Sequence, residues 1–133
     1  MSKFKSFLKG NVAEAENEPL KLGRFEEEII LRPLESGESD VISERCFKNK
    51  PGKKGKQERV FDAIKYNREI CVASMVHPDL NDAELQESYG VRGADNLYSK
   101  LFLLGEANQI LEKVTEISGI DVSMDDEIEE AKN

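Results

Sequence analysis

The feature that most constrains this chain is a stripe of apolar residues near its C-terminal end. The spacings of 4, 3, 3, 4, 3 and 3 residues within the stripe place its members along one face of an α-helix. The stripe consists of Leu97, Leu101, Leu104, Ala107, Leu111, Val114 and Ile117. We therefore predict a long amphipathic helix over residues 97–117, with Gly105 as the point where it can kink or divide.

Three further apolar residues lie off the stripe and widen the hydrophobic surface of this helix. They are Phe102, Leu103 and Ile110. One apolar face is enough for packing in a small domain, so a second one indicates contact with a partner. We accordingly predict that some of these three residues face a partner. The residues predicted to be core are Leu97, Leu101, Leu104 and Leu111.

The N-terminal half of the chain contains the best strand candidate, at residues 20–34. Phe25, Ile29 and Leu31 share one parity within it, which indicates a short edge strand or a small hairpin. Before it, residues 1–19 are predicted to form a poorly packed arm, because Phe4, Phe7 and Leu8 are followed by a Glu-rich stretch that lacks a hydrophobic face. Such an arm can dock on a partner or fray. After it, Ser36 can cap a helix that runs through about Phe47.

The middle of the chain alternates between loops and helices. Residues 48–57 are predicted to be a basic loop because Pro51, Gly52 and Gly55 disfavour a helix there and lysines dominate. Residues 58–76 show helical periodicity, and His77-Pro78 is expected to end that helix. Asn81 can cap a further short helix, which ends near Gly90.

These patterns predict an α+β fold that is mainly α-helical, with a small N-terminal strand or hairpin element packed against a C-terminal helical bundle. A chain of 133 residues has the length of one domain. We place that domain at residues 20–120, between the flexible arm at 1–19 and an acidic tail at 121–133. The composition of the tail predicts disorder.

The charge distribution bears on the choice of partner. The net charge of −8 argues against nucleic acid as the main partner, because phosphates would be repelled over most of the surface. The basic loop admits three interpretations: a solvated loop, a contact with an acidic protein, or a nucleic-acid site. Opposite charges in loop and tail permit head-to-tail self-association into weak homo-oligomers. The candidate residues are Lys50, Lys53, Lys54, Lys56, Asp125, Asp126 and Glu127.

The sequence gives little support for catalysis or metal binding. His77 is the sole histidine, so every Cys-His or Ser-His pair would depend on it, and it reads as a turn residue before proline. Cys46 and Cys71 are expected to be free, unreactive thiols in a reducing cytoplasm. Residues 121–132 begin like a calcium loop but lack its glycine and its closing glutamate. We expect no enzyme activity, no cofactor and no membrane span.

Several short motifs occur in a characteristic order along almost the whole chain. They are Pro78-Asp79-Leu80, Ser88-Tyr89-Gly90-Val91, Leu104-Gly105-Glu106 and Ala131-Lys132-Asn133. With the opening MSKFKSFLKGN and the closing DDEIEEAKN, this order resembles the XkdN-like tail assembly chaperones of phages and phage-like elements. The basic stretch at residues 48–56 departs most from that family's pattern.

The resemblance implies a role in assembling contractile phage tails. Proteins of that family are taken to coat the tape-measure protein, to help recruit tail-tube subunits, and to be absent from the finished particle. They are also known for a programmed frameshift that yields a longer form. The resemblance thus implies a tape-measure partner, a tail-tube partner and the cytoplasm of a bacterial host. The alternatives are a structural tail or neck protein, or a nucleic-acid-binding regulator that acts through the basic loop.

Overall fold

Five α-helices and two small antiparallel sheets make up residues 3–119, the part of the chain that the computed structural model describes. The helices are α1 (Ser36–Glu44), α2 (Ala63–Ser74), α3 (Ala83–Ser88), α4 (Ala94–Leu101) and α5 (Leu104–Ile117). The strands are β1 (Glu18–Leu20), β2 (Ile29–Leu31), β3 (Phe47–Pro51), β4 (Gln57–Phe61) and β5 (Met75–His77). This architecture confirms the predicted α+β, mainly helical fold class.

The first sheet has the strand order β1-β2-β5, with both neighbouring pairs antiparallel. Ile29 and Leu31 of β2 are buried against the helices, as their shared parity predicts. The strand candidate at residues 20–34 therefore becomes a small hairpin rather than a single edge strand. β2 is central in this sheet, because β5 returns from α2 to pair with its free side.

Helix α1 begins at the predicted place, but Ser36 is not its cap. Glu35 is the N-cap, and its backbone N–H donates to the Glu38 side chain at 3.1 Å, as in a capping box. Glu38 also pairs with Arg32, whose Nη2 lies 2.6 Å from Oε2. The helix ends at Glu44, earlier than predicted, and Cys46 then enters the core.

The prediction of a loop at residues 48–57 is wrong. β3 and β4 form a two-stranded ribbon over residues 47–61, which we call the basic ribbon. Phe47 pairs with Phe61 at its base, and the rings lie 5.4 Å apart. The positive φ angles of Lys54 and Gly55 turn the chain at the tip. Cross-strand pairing thus overrides the local signals for a loop.

The ribbon also shortens the helix that was predicted over residues 58–76. β4 takes residues as far as Phe61, and Asp62 then caps α2 by accepting a hydrogen bond from the Lys65 backbone N–H at 3.1 Å. Similarly, α3 is capped by Asp82 rather than Asn81, through the Leu85 N–H at 2.9 Å.

The predicted long helix over residues 97–117 is two helices. α4 ends at Leu101, Phe102 is extended, and α5 starts at Leu104. Gly105 lies inside the first turn of α5 and is not the break. The core is formed where α2, α4 and α5 pack against the first sheet. Its most deeply buried members are Leu22, Leu31, Cys46, Cys71, Leu97, Ile110 and Val114.

Candidate partner-binding groove

The corner between α4 and α5 is held by a side chain from the N-terminal half of the chain. Arg24 donates from Nη2 to the Leu101 carbonyl at 2.9 Å, which satisfies a free carbonyl at the end of α4. Arg24 also donates from Nε to Oε2 of Glu106 at 2.9 Å. Glu106 in turn accepts a hydrogen bond from the Leu103 N–H at 2.8 Å, at the start of α5. These bonds fix the directions of both helices.

The electrostatics of this corner favour the charged pair. The hydrogen bond from Arg24 lowers the pKa of Glu106, although desolvation by burial acts in the opposite direction. The same bond raises the pKa of Arg24. Glu106 is buried while Arg24 is about half exposed, so the carboxylate depends on its partners in place of water.

The structure at this corner contradicts part of the prediction of which apolar side chains are buried and which face a partner. Phe102 and Ile110 were predicted to face a partner, but they are 6% and 0% exposed and belong to the core. Leu104 was predicted to be core, but it is 80% exposed. The reason is that the extended residue between the helices resets the helical phase, so Leu104 no longer continues the face of Leu97 and Leu101. Leu97 and Leu101 themselves are buried, as predicted.

Leu103 was predicted to face a partner, and its exposed fraction of 60% leaves it free to do so. It is adjacent to Leu104, and together they form an apolar ridge at the corner. Leu111 of α5 is partly buried against the core. Surface apolar groups that are contiguous rather than scattered are typical of an interaction site.

A groove of about 560 Å³ runs beside this ridge, between α2, α4 and α5. Ile64 of α2 is 76% exposed, and it lines the groove together with Leu104. Cys71, Tyr98 and Phe102 also line the groove, while their own surfaces are largely buried. Its further lining residues are Asn67, Arg68, Ser99, Ala107, Asn108 and Leu111. The result is an apolar trough with polar residues interspersed, as in sites that accept an amphipathic helix.

The thiol in this groove is not suited to nucleophilic chemistry. Burial raises the pKa of Cys71 to about 11, and a hydrogen bond with Tyr98 opposes the shift only in part. Burial also raises the pKa of Cys46. Both cysteines are free, as predicted, and both are buried in the core.

A second depression, of about 490 Å³, lies at the other side of the corner. It is lined by the exposed residues Glu26, Glu27 and Glu28, and by His77. The structure brings His77 to a carboxylate rather than to a nucleophile, with Nε2 lying 3.2 Å from Oε2 of Glu27. Both of these side chains are at least half exposed. His77 is the last residue of β5 rather than a turn residue, so the predicted turn begins only after it, while its side chain lies at the surface.

The remaining predicted interaction residues lie elsewhere. Lys50, Lys53, Lys54 and Lys56 are exposed on the basic ribbon, away from the groove. Asp125, Asp126 and Glu127 lie outside the described residues. Sequence reasoning missed Ile64 and Leu104 as exposed lining residues. The available signal was Glu106, because an acidic residue three places after Leu103 is typical of a helix start.

Two absences hold for residues 3–119. Within this range, no group of three or more His, Cys, Asp or Glu side chains is placed to hold a metal ion. Over the same residues, no helix combines the length and the apolar character that crossing a membrane requires.

Fold and groove together define a small α+β protein whose distinctive surface is suited to binding another protein. A family model for the phage XkdN-like tail assembly chaperone protein matches residues 4–132. The chain belongs to this family of tail assembly chaperones, as the resemblance in sequence implied. The family is not one of known enzymes.

One relative in sequence and one solved structure are similar to this chain. Protein XkdN of the phage-like element PBSX from Bacillus subtilis (strain 168) is 26% identical in an alignment of 137 positions, which covers 96% of this chain and 91% of that protein. The crystal structure of the protein YqbN matches with a TM-score of 0.71 at 19% identity. That match covers 91% of this chain and 99% of the other, and at this identity it shows a shared fold.

Proposed function

We propose that this protein binds the tape-measure protein of a contractile phage tail and helps recruit tail-tube subunits to it. The binding takes place in the cytoplasm of the bacterial host, and the chaperone is absent from the finished particle. The observation that carries the proposal is the apolar groove between α2, α4 and α5, which Ile64 and Leu104 line with most of their side-chain surface exposed.

The chemistry of the groove selects an amphipathic or apolar helix. A helix laid between α2 and α5 can bury its apolar face against Ile64, Leu104 and Ala107, while Asn67 and Asn108 remain available to its polar edges. Long apolar helices of a tape-measure protein need such cover before tube subunits surround them. Many weak contacts along a repeating partner give high occupancy without a single tight site.

The test is co-expression with the tape-measure protein, followed by pull-down. We expect the wild-type chaperone to keep the partner soluble and to form a complex with it. The double variant Ile64→Asp, Leu104→Asp should lose most of that complex, because charged groups would replace two apolar contacts worth roughly 1.5–3 kcal/mol each when fully buried. Both positions lie in the first turn of a helix, where an aspartate is favourable for folding.

The matched control is Val41→Asp on α1, where the replaced side chain is 60% exposed but lies outside the groove. We expect this variant to bind like the wild type. A tape-measure protein that stays insoluble with the wild-type chaperone would contradict the proposed function. Equal binding by the groove variant and the wild type would instead exclude the groove as the site.

The fate of the protein after assembly separates the chaperone from a structural tail protein. Mass spectrometry of purified particles should recover the tube and tape-measure proteins without this chain. Recovery in fixed proportion to the tube subunit would identify it as a component of the tail.

A further inference from the structure

The basic ribbon is a protruding element rich in cationic side chains. Lys48, Lys50, Lys53, Lys54, Lys56 and Arg59 are all exposed. Within residues 3–119 none of them makes an ion pair. Glu58 is the single acidic residue between Phe47 and Phe61. The ribbon therefore presents a concentrated positive surface on an otherwise acidic chain.

The ribbon also offers backbone groups for pairing. Among the described residues, β3 and β4 pair only with each other, so each strand has an open edge. Isolated two-stranded ribbons have marginal stability, and open edges accept an extended segment through main-chain hydrogen bonds. At the base, Arg59 lies over the Phe47 ring at 4.1 Å, which stiffens the part of the ribbon nearest the body.

The chain itself contains a segment of complementary charge. Within residues 121–130, six of ten residues are acidic and none is basic. They are Asp121, Asp125, Asp126, Glu127, Glu129 and Glu130. The ribbon and this segment thus carry opposite charges, with six cationic residues on the ribbon and six acidic residues in the segment.

The position where the described chain ends brings this segment within reach of the ribbon. Ser118 Oγ accepts a hydrogen bond from the Leu34 N–H at 3.0 Å, next to the start of α1. The ribbon begins just after the other end of α1. This helix has 9 residues, so its two ends lie about 13 Å apart at 1.5 Å per residue. An extended chain of ten residues spans about 33 Å, enough to pass α1 and to follow a strand of roughly 17 Å.

We propose that residues 121–130 lie along the basic ribbon of the same chain. The sequence analysis predicted that the same charges meet between two copies of the protein. Within one chain, however, the segment is tethered near the ribbon, and its effective concentration there is in the millimolar range. A contact built from surface ion pairs is weak, so this advantage favours the tethered segment over a neighbour's. Nucleic acid is disfavoured by the net charge of −8 and by Glu58 on the ribbon itself.

Zero-length carbodiimide cross-linking of the full-length protein tests the contact, because it joins only carboxylates and amines that touch. We expect links from Asp125, Asp126 or Glu127 to ribbon lysines. Two internal comparisons control for chance encounters: links from the tail to Lys3, Lys5 and Lys9, and links from Glu26, Glu27 and Glu28 to the ribbon. Tail-to-ribbon links no more frequent than these would overturn the proposal.

An equal mixture of unlabelled and ¹⁵N-labelled protein distinguishes one chain from two. Links within a chain carry a single isotope, whereas links between copies also give mixed products. We expect tail-to-ribbon links of single isotope at low protein concentration. Mixed products in the statistical proportion would overturn the same-chain contact and assign the ribbon to self-association.

A competition experiment then tests the ribbon as the binding surface. The variant Asp125→Asn, Asp126→Asn, Glu127→Gln should free the ribbon, so that a peptide of residues 120–133 binds it in trans about tenfold more tightly than it binds the wild type. The matched control Glu26→Gln, Glu27→Gln, Glu28→Gln changes the net charge equally and should not expose the ribbon. Equal peptide binding by both variants, or tighter binding of a short DNA duplex than of the peptide, would refute the proposal.

Discussion

Arg24 Nε lies 2.9 Å from Glu106 Oε2, although the two residues are 82 positions apart in the sequence. This pair joins the loop between β1 and β2 to the first turn of α5. Because Arg24 also bonds the last carbonyl of α4, one guanidinium group sets the corner at which Leu103 and Leu104 become exposed. The geometry of the groove therefore depends on a residue that does not line it.

The first prediction concerns this corner. Glu106→Gln keeps the size of the side chain but removes its charge, and Arg24 then faces a neutral amide. We expect the free energy of unfolding to fall by about 1.5–3 kcal/mol, the range for a hydrogen bond to a charged group. Urea denaturation monitored by circular dichroism measures the loss. Glu112→Gln, at an exposed position of the same helix, is the control and should leave stability within about 0.5 kcal/mol of the wild type.

The second prediction contrasts the buried and exposed members of the apolar pattern. Ile110→Ala should lower the free energy of unfolding by about 2–5 kcal/mol, and Phe102→Ala by about 3–5 kcal/mol, because each leaves a cavity in the core. Leu104→Ala should change it by less than about 0.5 kcal/mol, since its side chain is largely in solvent. Thermal or urea unfolding of the three variants provides the comparison. Equal losses at Leu104 and Ile110 would show that the corner is placed wrongly.

The third prediction concerns pH and the pair between Arg32 and Glu38. The hydrogen bond from Arg32 lowers the pKa of Glu38 from 4.5 to about 2. The unfolded chain then binds more protons than the folded chain between these values, so stability rises with pH across that window. The contribution of Glu38 is complete above pH 4.5 and is lost as pH falls towards 2. Urea midpoints measured between pH 6 and about 2 should decline less steeply in Glu38→Gln. A variant with the same slope as the wild type would count against this pair.

Sequence patterns predict well where local physics and tertiary packing agree. The shared parity of Ile29 and Leu31 predicts that both side chains face the core, and both are buried. The spacing of Leu97 and Leu101 likewise predicts which face of α4 packs in the core. In both cases one short segment contains the information that decides the outcome. The predicted end of the helix over residues 58–76 at His77-Pro78 is wrong, because α2 ends at Ser74 and Met75–His77 form β5, which pairs with β2.

The predictions fail where a residue far away in the sequence determines the local structure. Nothing in residues 97–117 reveals that Arg24 takes the last carbonyl of α4, so the stripe looks like one helix instead of two. The basic ribbon escapes notice for a related reason. Its strands are stabilised by pairs such as Phe47 with Phe61, which become visible only when the register is known. The exposed ridge of the groove follows from the first of these effects, because Leu104 becomes exposed where α4 and α5 separate.

The base of the basic ribbon has a consequence for how this chain can vary. Cys46 and Asp62 flank the ribbon and are joined by a backbone hydrogen bond of 2.6 Å between the Asp62 N–H and the Cys46 carbonyl. The chain therefore leaves the body and re-enters it at a single point, and residues 47–61 form a detachable appendage. Insertions, deletions or recoding there can alter the length and charge of the ribbon without repacking the interior. The groove between α2, α4 and α5 has no lining residue in this stretch, so the ribbon can vary while the groove is kept.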